Sequence, residues 1–111
     1  MSDENRILIE ESSGNLWADI GRPDADEALA RAELMRRISE SIRARGLTQA
    51  AAAELLGTTQ PTISDLVRGK LSRFSLERLI AFLNALGQDV EIVVRANPAS
   101  GAERGRIRVA A

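Results

Sequence analysis

The 111-residue sequence contains neither cysteine nor histidine. Disulfide bonds, thiolate chemistry and zinc sites built from Cys and His are therefore excluded. Without histidine, general acid–base catalysis at neutral pH loses its commonest agent, and no Asp or Glu residues stand at a recognisable catalytic spacing. These absences predict a protein that is not an enzyme and that uses no cofactor and no metal ion.

Aromatic residues are also scarce, at 3% of the chain, whereas apolar residues as a whole reach 44%. The core must therefore be built from Leu, Ile, Val and Ala, a composition that favours helices. The N-terminal residues MSDENRILIEE are acidic where a signal peptide requires basic residues, and no apolar run long enough to span a membrane follows. We therefore expect a cytoplasmic protein with no membrane partner.

The net charge of −1 is distributed unevenly along the chain. Residues 1–40 contain ten acidic and five basic residues, whereas residues 41–79 contain three acidic and six basic residues. The total argues against a uniformly basic nucleic-acid binder, but the positive middle of the chain can still meet phosphate. The acidic first third is either an ordinary solvated surface or a complement to a basic partner protein.

Capping residues and glycines mark four helices between residues 23 and 88. The predicted N-caps are Asp24, Thr48, Thr59 and Ser75, and the predicted ends are Gly46, Gly57, Arg68 with Gly69, and Gly87. Apolar residues at helical spacing predict that the first and fourth helices bury one face each. Those predicted core residues are Leu34, Met35, Ile38 and Ile42 in the first helix, and Leu76, Leu79, Ile80, Leu83 and Leu86 in the fourth.

Strand-like residues flank this helical domain. The run RILIE at 6–10 predicts a short strand within an N-terminal segment, 1–22, and DVEIVVR at 89–95 alternates like a strand over 89–96. One strand cannot satisfy its own backbone, so the partner of 89–95 must be 6–10, the same strand of a second subunit, or another protein. The Pro-, Ser- and Gly-containing tail, 97–111, is predicted to be mobile.

The two middle helices have the spacing of a helix-turn-helix. Ala53 is the small residue that lets two crossing helices approach, and Gly57, four residues later, tolerates the positive φ of a tight turn. Ile63 and Leu66 then face back onto the earlier helix. The alternative is a pair of ordinary packed helices with no ligand.

The stretch GTTQPTISDLVRGK resembles the recognition half of the Cro/C1-type, or XRE, helix-turn-helix family. The segments PDADEALARAEL, LTQAAAAELLG and LSRFSLERLIAFLNALGQDVEIVVR further resemble the HigA-type antitoxins of toxin–antitoxin operons. The resemblance implies a mainly α fold: a lambda-repressor-like bundle of four to five helices with one or two short peripheral β-strands. It also implies a homodimeric repressor of a palindromic DNA operator, with a small basic RNase-type toxin as a partner.

The resemblance also implies roles for individual side chains. Gln60 matches the glutamine that pairs with adenine N6 and N7 in the major groove. Gln49 matches a residue that hydrogen-bonds phosphate, although Gln49 and Thr48 can also serve capping alone. Thr59 matches a phosphate or sugar contact and also caps its helix. The remaining implied DNA contacts are Thr62, Ser64, Arg68, Lys70 and Arg73. The alternative for the three basic residues is a solvated loop with no partner.

Two residues depart from the family pattern. Pro61 stands where some relatives have a polar residue that contacts bases. Asp65 places an acid on the face that would meet DNA. Such an acid repels phosphate unless it accepts a hydrogen bond from cytosine N4 or pairs with Arg68. Trp17, the only tryptophan, is either a peripheral core contact or an anchor for a partner protein.

Three functional hypotheses follow. The first is an antitoxin that represses its own operon and neutralises a toxin by direct contact. The second is a phage or chromosomal Cro/C1-type regulator without a toxin partner. The third is an interaction module that uses the fourth helix and the 89–95 strand without DNA.

Overall fold

The structure of the protein, a computed structural model, describes residues 23–96 and 105–110. The strand expected at 6–10 and the single tryptophan, Trp17, lie outside these residues. Within them the chain forms four α-helices, followed in each case by a short connection. The helices are α1 (Pro23–Ala44), α2 (Gln49–Leu56), α3 (Gln60–Val67) and α4 (Leu76–Ala85), and a 3₁₀ turn (Leu71–Arg73) joins α3 to α4.

Hydroxyl side chains begin three of these helices, as the sequence predicted. The Oγ atoms of Thr48, Thr59 and Ser75 accept hydrogen bonds from backbone N–H groups three residues later, at 3.0, 3.3 and 3.1 Å. Each bond satisfies one N–H group that has no partner inside its helix. The first helix differs from the prediction, because α1 already includes Pro23 and Asp24 therefore lies inside its first turn. Proline fits there because it has no N–H to satisfy and its φ is already helical.

A glycine with positive φ follows every helix, and the same pair of backbone hydrogen bonds closes each one. After α1, for example, Gly46 N–H donates to the carbonyl of Arg43, and Leu47 N–H donates to that of Ile42. This arrangement is the Schellman motif, which satisfies carbonyls at the end of a helix. The helix boundaries are therefore determined by residues close to each end of the helix.

The core lies where α1 and α4 pack together and α3 closes over them. Its most buried side chains are Ile38 of α1, Ile63 and Leu66 of α3, and Leu79 of α4. The predicted stripe of α1 is buried throughout, whereas the predicted stripe of α4 is shifted. Phe82 is buried with Leu79, Leu83 and Leu86, and Leu76 and Ile80 pack at the margin.

The strand predicted at 89–95 is not formed in this structure, and residues 89–96 have no regular secondary structure. No backbone hydrogen bond joins them to any other residue within 23–96 or 105–110. The physical reason is that a strand exists only when a neighbouring strand pairs with its N–H and C=O groups, and the described part of the chain supplies none. Val90 packs against the core, but Ile92 and Val94 are 73% and 90% exposed.

The outer face of α1 carries ion pairs and holds part of the C-terminal segment. Glu33 accepts from Arg36 and Arg37, each at 2.7 Å. The hydrogen bond from Arg36 lowers the pKa of the Glu33 carboxyl, although partial burial opposes the shift. Arg37 also donates to the carbonyl of Ala110 at 2.8 Å, and Val109 packs against the core. The end of the C-terminal segment, Val109 and Ala110, therefore contacts the helical domain, in part through α1.

No helix in the described ranges is both long enough and apolar enough to cross a membrane.

The left-handed conformation at Gly57 gives a stability prediction. Its φ is +69°, and a methyl group added at its Cβ position would meet nothing within 4 Å. A Gly57→Ala substitution should therefore cost only the backbone strain of that conformation, about 1–2 kcal/mol in the free energy of unfolding. Urea denaturation followed by circular dichroism measures this change.

Gly105→Ala is the matched control, because Gly105 has no positive φ and is equally open. It should leave stability within about 0.5 kcal/mol of the original chain. Equal effects of the two substitutions would contradict the assignment of strain to Gly57.

Candidate nucleic-acid interface

The turn between α2 and α3 fixes the position of α3. Gly57 N–H donates to the carbonyl of Glu54 at 3.2 Å, and Thr58 N–H donates to that of Ala53 at 2.9 Å. The Ala53 side chain is buried, so the helices meet at a residue with a single methyl group. Ile63 is fully buried in the core beneath α3. The opposite face of α3 is thereby turned toward solvent.

That solvent face begins with two linked hydroxyl groups. Thr59 caps α3 and lies 2.9 Å, Oγ1 to Oγ1, from Thr62 one turn later. Gln60, the first residue of α3, is exposed between them, and Pro61 beside it is also exposed. Ser64 is half-buried. The N-terminal turn of α3 therefore presents an amide and two hydroxyls, which are groups that hydrogen-bond bases or phosphates.

Gln49 belongs to a different helix end. It is the first residue of α2, exposed, and preceded by Thr48, whose hydroxyl accepts from Ala51 N–H. Because Thr48 performs the capping, the Gln49 side chain is not needed for it. The N-terminal turn of a helix favours anions, so Gln49 stands where a phosphate is stabilised.

Asp65, the acid that departed from the family pattern, pairs with two basic residues that follow α3. Its carboxylate oxygens lie 3.6 Å from Lys70 Nζ and 3.4 Å from Arg73 Nη1. Arg68, which the sequence offered as one possible partner of Asp65, is not among these partners. Arg68 is the last residue before the left-handed turn at Gly69, and that turn brings the chain, with Lys70 and Arg73, back across α3. Within the described ranges, Arg68 is exposed and forms no ion pair.

Arg78 is a candidate residue that the sequence analysis missed. Its guanidinium lies over the rings of Phe74 and Phe82, at 5.5 and 5.4 Å from their centroids, and its Nη2 donates to Thr58 Oγ1 at 3.3 Å. The two rings pack edge to face at 6.3 Å. The run FSLERL contained the signal, because an apolar residue before an N-cap Ser commonly folds back onto the first turn of its helix. Arg78 lies in that turn.

These groups form one surface. A shallow recess between α3 and α4 is lined by Thr62, Asp65, Ser72, Arg73, Phe74 and Arg78. Lys70 borders it through its ion pair with Asp65, while Gln60 and Arg68 lie at the two ends of α3. Gln49 stands apart on α2. Among residues 23–96 and 105–110, no group of three or more acidic side chains is arranged to hold a metal ion.

Comparisons with known proteins agree with the helix-turn-helix fold. A family model described as a helix-turn-helix domain matches residues 16–95. A solved structure named "Putative XRE Family Transcriptional Regulator" is similar to this chain, with a TM-score of 0.72 and 48% sequence identity. The match covers 80% of this chain and 99% of the other. No curated protein matches the chain.

The ion pairs of Asp65 lead to a prediction about DNA affinity. Asp65→Asn should free Lys70 and Arg73 for phosphate and remove an acid that repels it. Exposed ion pairs contribute about 0.2–1 kcal/mol each, so affinity for DNA of unrelated sequence should rise roughly tenfold. Fluorescence anisotropy with a labelled random duplex, repeated at several salt concentrations, measures the change.

Glu40→Gln is the matched control for Asp65→Asn. Glu40 is also ion-paired, at 2.8 Å to Arg36, but it lies on the outer face of α1. Its substitution should leave DNA affinity within about twofold of the original, because an exposed ion pair remote from the duplex contributes little. An unchanged or weakened affinity in Asp65→Asn would contradict the role given to Asp65.

Proposed function

This chain belongs to the helix-turn-helix domain family, and we propose that it is a sequence-specific transcriptional repressor that binds double-stranded DNA. The observation that carries the proposal is the exposed N-terminal turn of α3. Gln60 projects from a helix whose opposite face is fixed in the core by Ile63 and Leu66. A polar helix face presented by a rigid support suits the major groove, which admits one α-helix.

Gln60 is the proposed base reader. A glutamine amide both donates and accepts, so it can pair with adenine N6 and N7 together. The hydroxyls of Thr59 and Thr62 flank it and are proposed to contact phosphate or base edges, as is Ser64. Helix capping occupies only one acceptor position of Thr59, so its hydroxyl keeps further hydrogen-bonding capacity.

Backbone contacts are proposed for the basic residues around α3 and for the start of α2. Arg68, Lys70 and Arg73 surround the C-terminal end of α3, and Gln49 stands at the N-terminus of α2. Contacts of this kind set the register of the protein on DNA and make affinity fall with salt. An acidic chain can bind in this way because only this face meets phosphate.

A palindromic operator and a homodimer belong to the same proposal. One helix-turn-helix unit contacts a single half-site, whereas two related by a two-fold axis reach successive major-groove turns about 34–36 Å apart. The symmetry of the DNA site then matches the symmetry of the protein.

We further propose that this repressor is the antitoxin of a toxin–antitoxin operon. The support is the resemblance of residues 14–95 to HigA-type antitoxins and the excess of acidic residues in 1–40, which complements a small basic RNase-type toxin. The second candidate is a phage or chromosomal Cro/C1-type regulator with no toxin partner. The match to a regulator of the XRE family favours both equally.

Substitution of Gln60 tests the DNA-reading proposal. Gln60→Ala should weaken binding to the palindrome upstream of the gene by about 1–3 kcal/mol, or roughly five- to 150-fold. Binding to unrelated DNA should change little, because the lost contact is to a base. Gel-shift titration with both duplexes measures the two affinities.

Gln88→Ala is the matched control, since Gln88 is an exposed glutamine beside α1, away from α3. It should bind both duplexes like the original chain. The proposal would be overturned if Gln60→Ala and Gln88→Ala weakened operator binding equally. It would also be overturned if operator binding by the original chain did not change with salt concentration.

Deletion of residues 1–22 tests the antitoxin role separately. If the acidic segment contacts a toxin, the shortened chain should neutralise the product of a neighbouring toxin gene less well and still bind the operator. Co-expression rescue of growth and gel shift measure the two properties. Full rescue by the shortened chain would remove the acidic segment from toxin binding.

A further inference from the structure

Residues 89–96 form an apolar segment whose backbone has no partner in the described part of the chain. Ile92, Val93 and Val94 are 73%, 60% and 90% exposed, although β-branched residues of this kind favour a paired strand. The C-terminal segment 105–110 is also close to the core, but no backbone hydrogen bond joins it to 89–96. An exposed apolar row with free N–H and C=O groups is a template for pairing with another chain.

The sequence of this segment is complementary to itself in one antiparallel register. If Val93 faces Val93 of a second copy, then Glu91 faces Arg95 and Ile92 faces Val94, and each of these pairs occurs twice. Opposite charges and β-branched pairs directly across from each other stabilise an antiparallel sheet. All six residues 91–96 are exposed and available for such pairing.

Registers shifted by one position are less complementary. A pairing centred on Ile92 would set Asp89 against Arg95, but it would also set the carboxylate of Glu91 against the apolar Val93. The Val93-centred pairing leaves Glu91 and Arg95 matched and sets Val90 against the small residue Ala96.

We infer that residues 91–95 pair antiparallel with the same residues of a second copy of this chain, centred on Val93. The inference rests on the homodimer of the proposed function and assigns its interface. The segment follows α4, and none of its residues lines the recess between α3 and α4, so a pair formed here leaves both copies of Gln60 free.

Charge reversal tests this register. Glu91→Arg and Arg95→Glu should each raise the dissociation constant of the dimer about tenfold or more, because each creates two like-charge pairs. The double variant Glu91→Arg with Arg95→Glu should restore the original value. Sedimentation equilibrium of the full chain measures the constant. Glu54→Arg is the control, because Glu54 is an exposed acid of α2 that forms no ion pair in the described residues. This substitution should leave the dissociation constant of the dimer unchanged.

A cysteine scan gives an independent reading, because the chain has no cysteine of its own. Directly opposite residues in an antiparallel pair have Cα atoms about 4.5–5.5 Å apart, within disulfide range. Val93→Cys should therefore form a covalent dimer under mild oxidation faster than Ile92→Cys or Val94→Cys. Circular dichroism confirms that each variant keeps its helices.

Three outcomes would overturn the inference: a monomeric original chain, a double variant that is not restored, or fastest cross-linking at Ile92 or Val94. The proposed function fails in a different way. A chain that dimerises through Val93 but binds no operator would contradict DNA repression and leave the interface intact. If the chain binds its operator as a dimer whose dissociation constant is unchanged by the charge reversals, the proposed interface is contradicted and DNA repression is left intact.

Discussion

The orientation of α3 depends on one backbone conformation, the positive φ of 69° at Gly57. At that residue the chain leaves α2 and begins the approach to α3, and the bond from Thr58 N–H to the Ala53 carbonyl closes the turn. Ile63 can then enter the core completely. Because the buried face of α3 is fixed in this way, the direction of its opposite, polar face is fixed too.

Charge on the polar face is arranged by the chain that follows α3. Asp65 holds Lys70 and Arg73 near the helix, so these basic side chains stay beside the candidate surface in the free protein. Phosphate would compete with Asp65 for the same two groups. Arg78, stacked on the ring of Phe74, connects this region to α4. The acidic residue that looks misplaced in the sequence is thus paired with basic neighbours in the free protein.

Much of the fold could be predicted from the sequence because its signals are local. Thr59 caps α3 as expected, and glycines stop the helices through hydrogen bonds that span only a few residues. The strand at 89–95 could not be tested by such signals, because pairing depends on a partner distant in sequence or on another chain. The partners of Asp65 and the stacking of Arg78 were missed for a related reason. The ion pairs depend on how the turn at Gly69 brings Lys70 and Arg73 back across α3, and the stacking depends on how Phe74 packs against α4.

The unpaired segment 89–96 also bears on the susceptibility of the chain to proteolysis. Proteases cleave irregular, accessible backbone, and here such backbone is present without any unfolding of the helical core. Cleavage at this place therefore does not depend on the global stability of the domain. If a second copy pairs with residues 91–95, as inferred above, it covers this backbone, and the degradation rate then falls as the protein concentration rises.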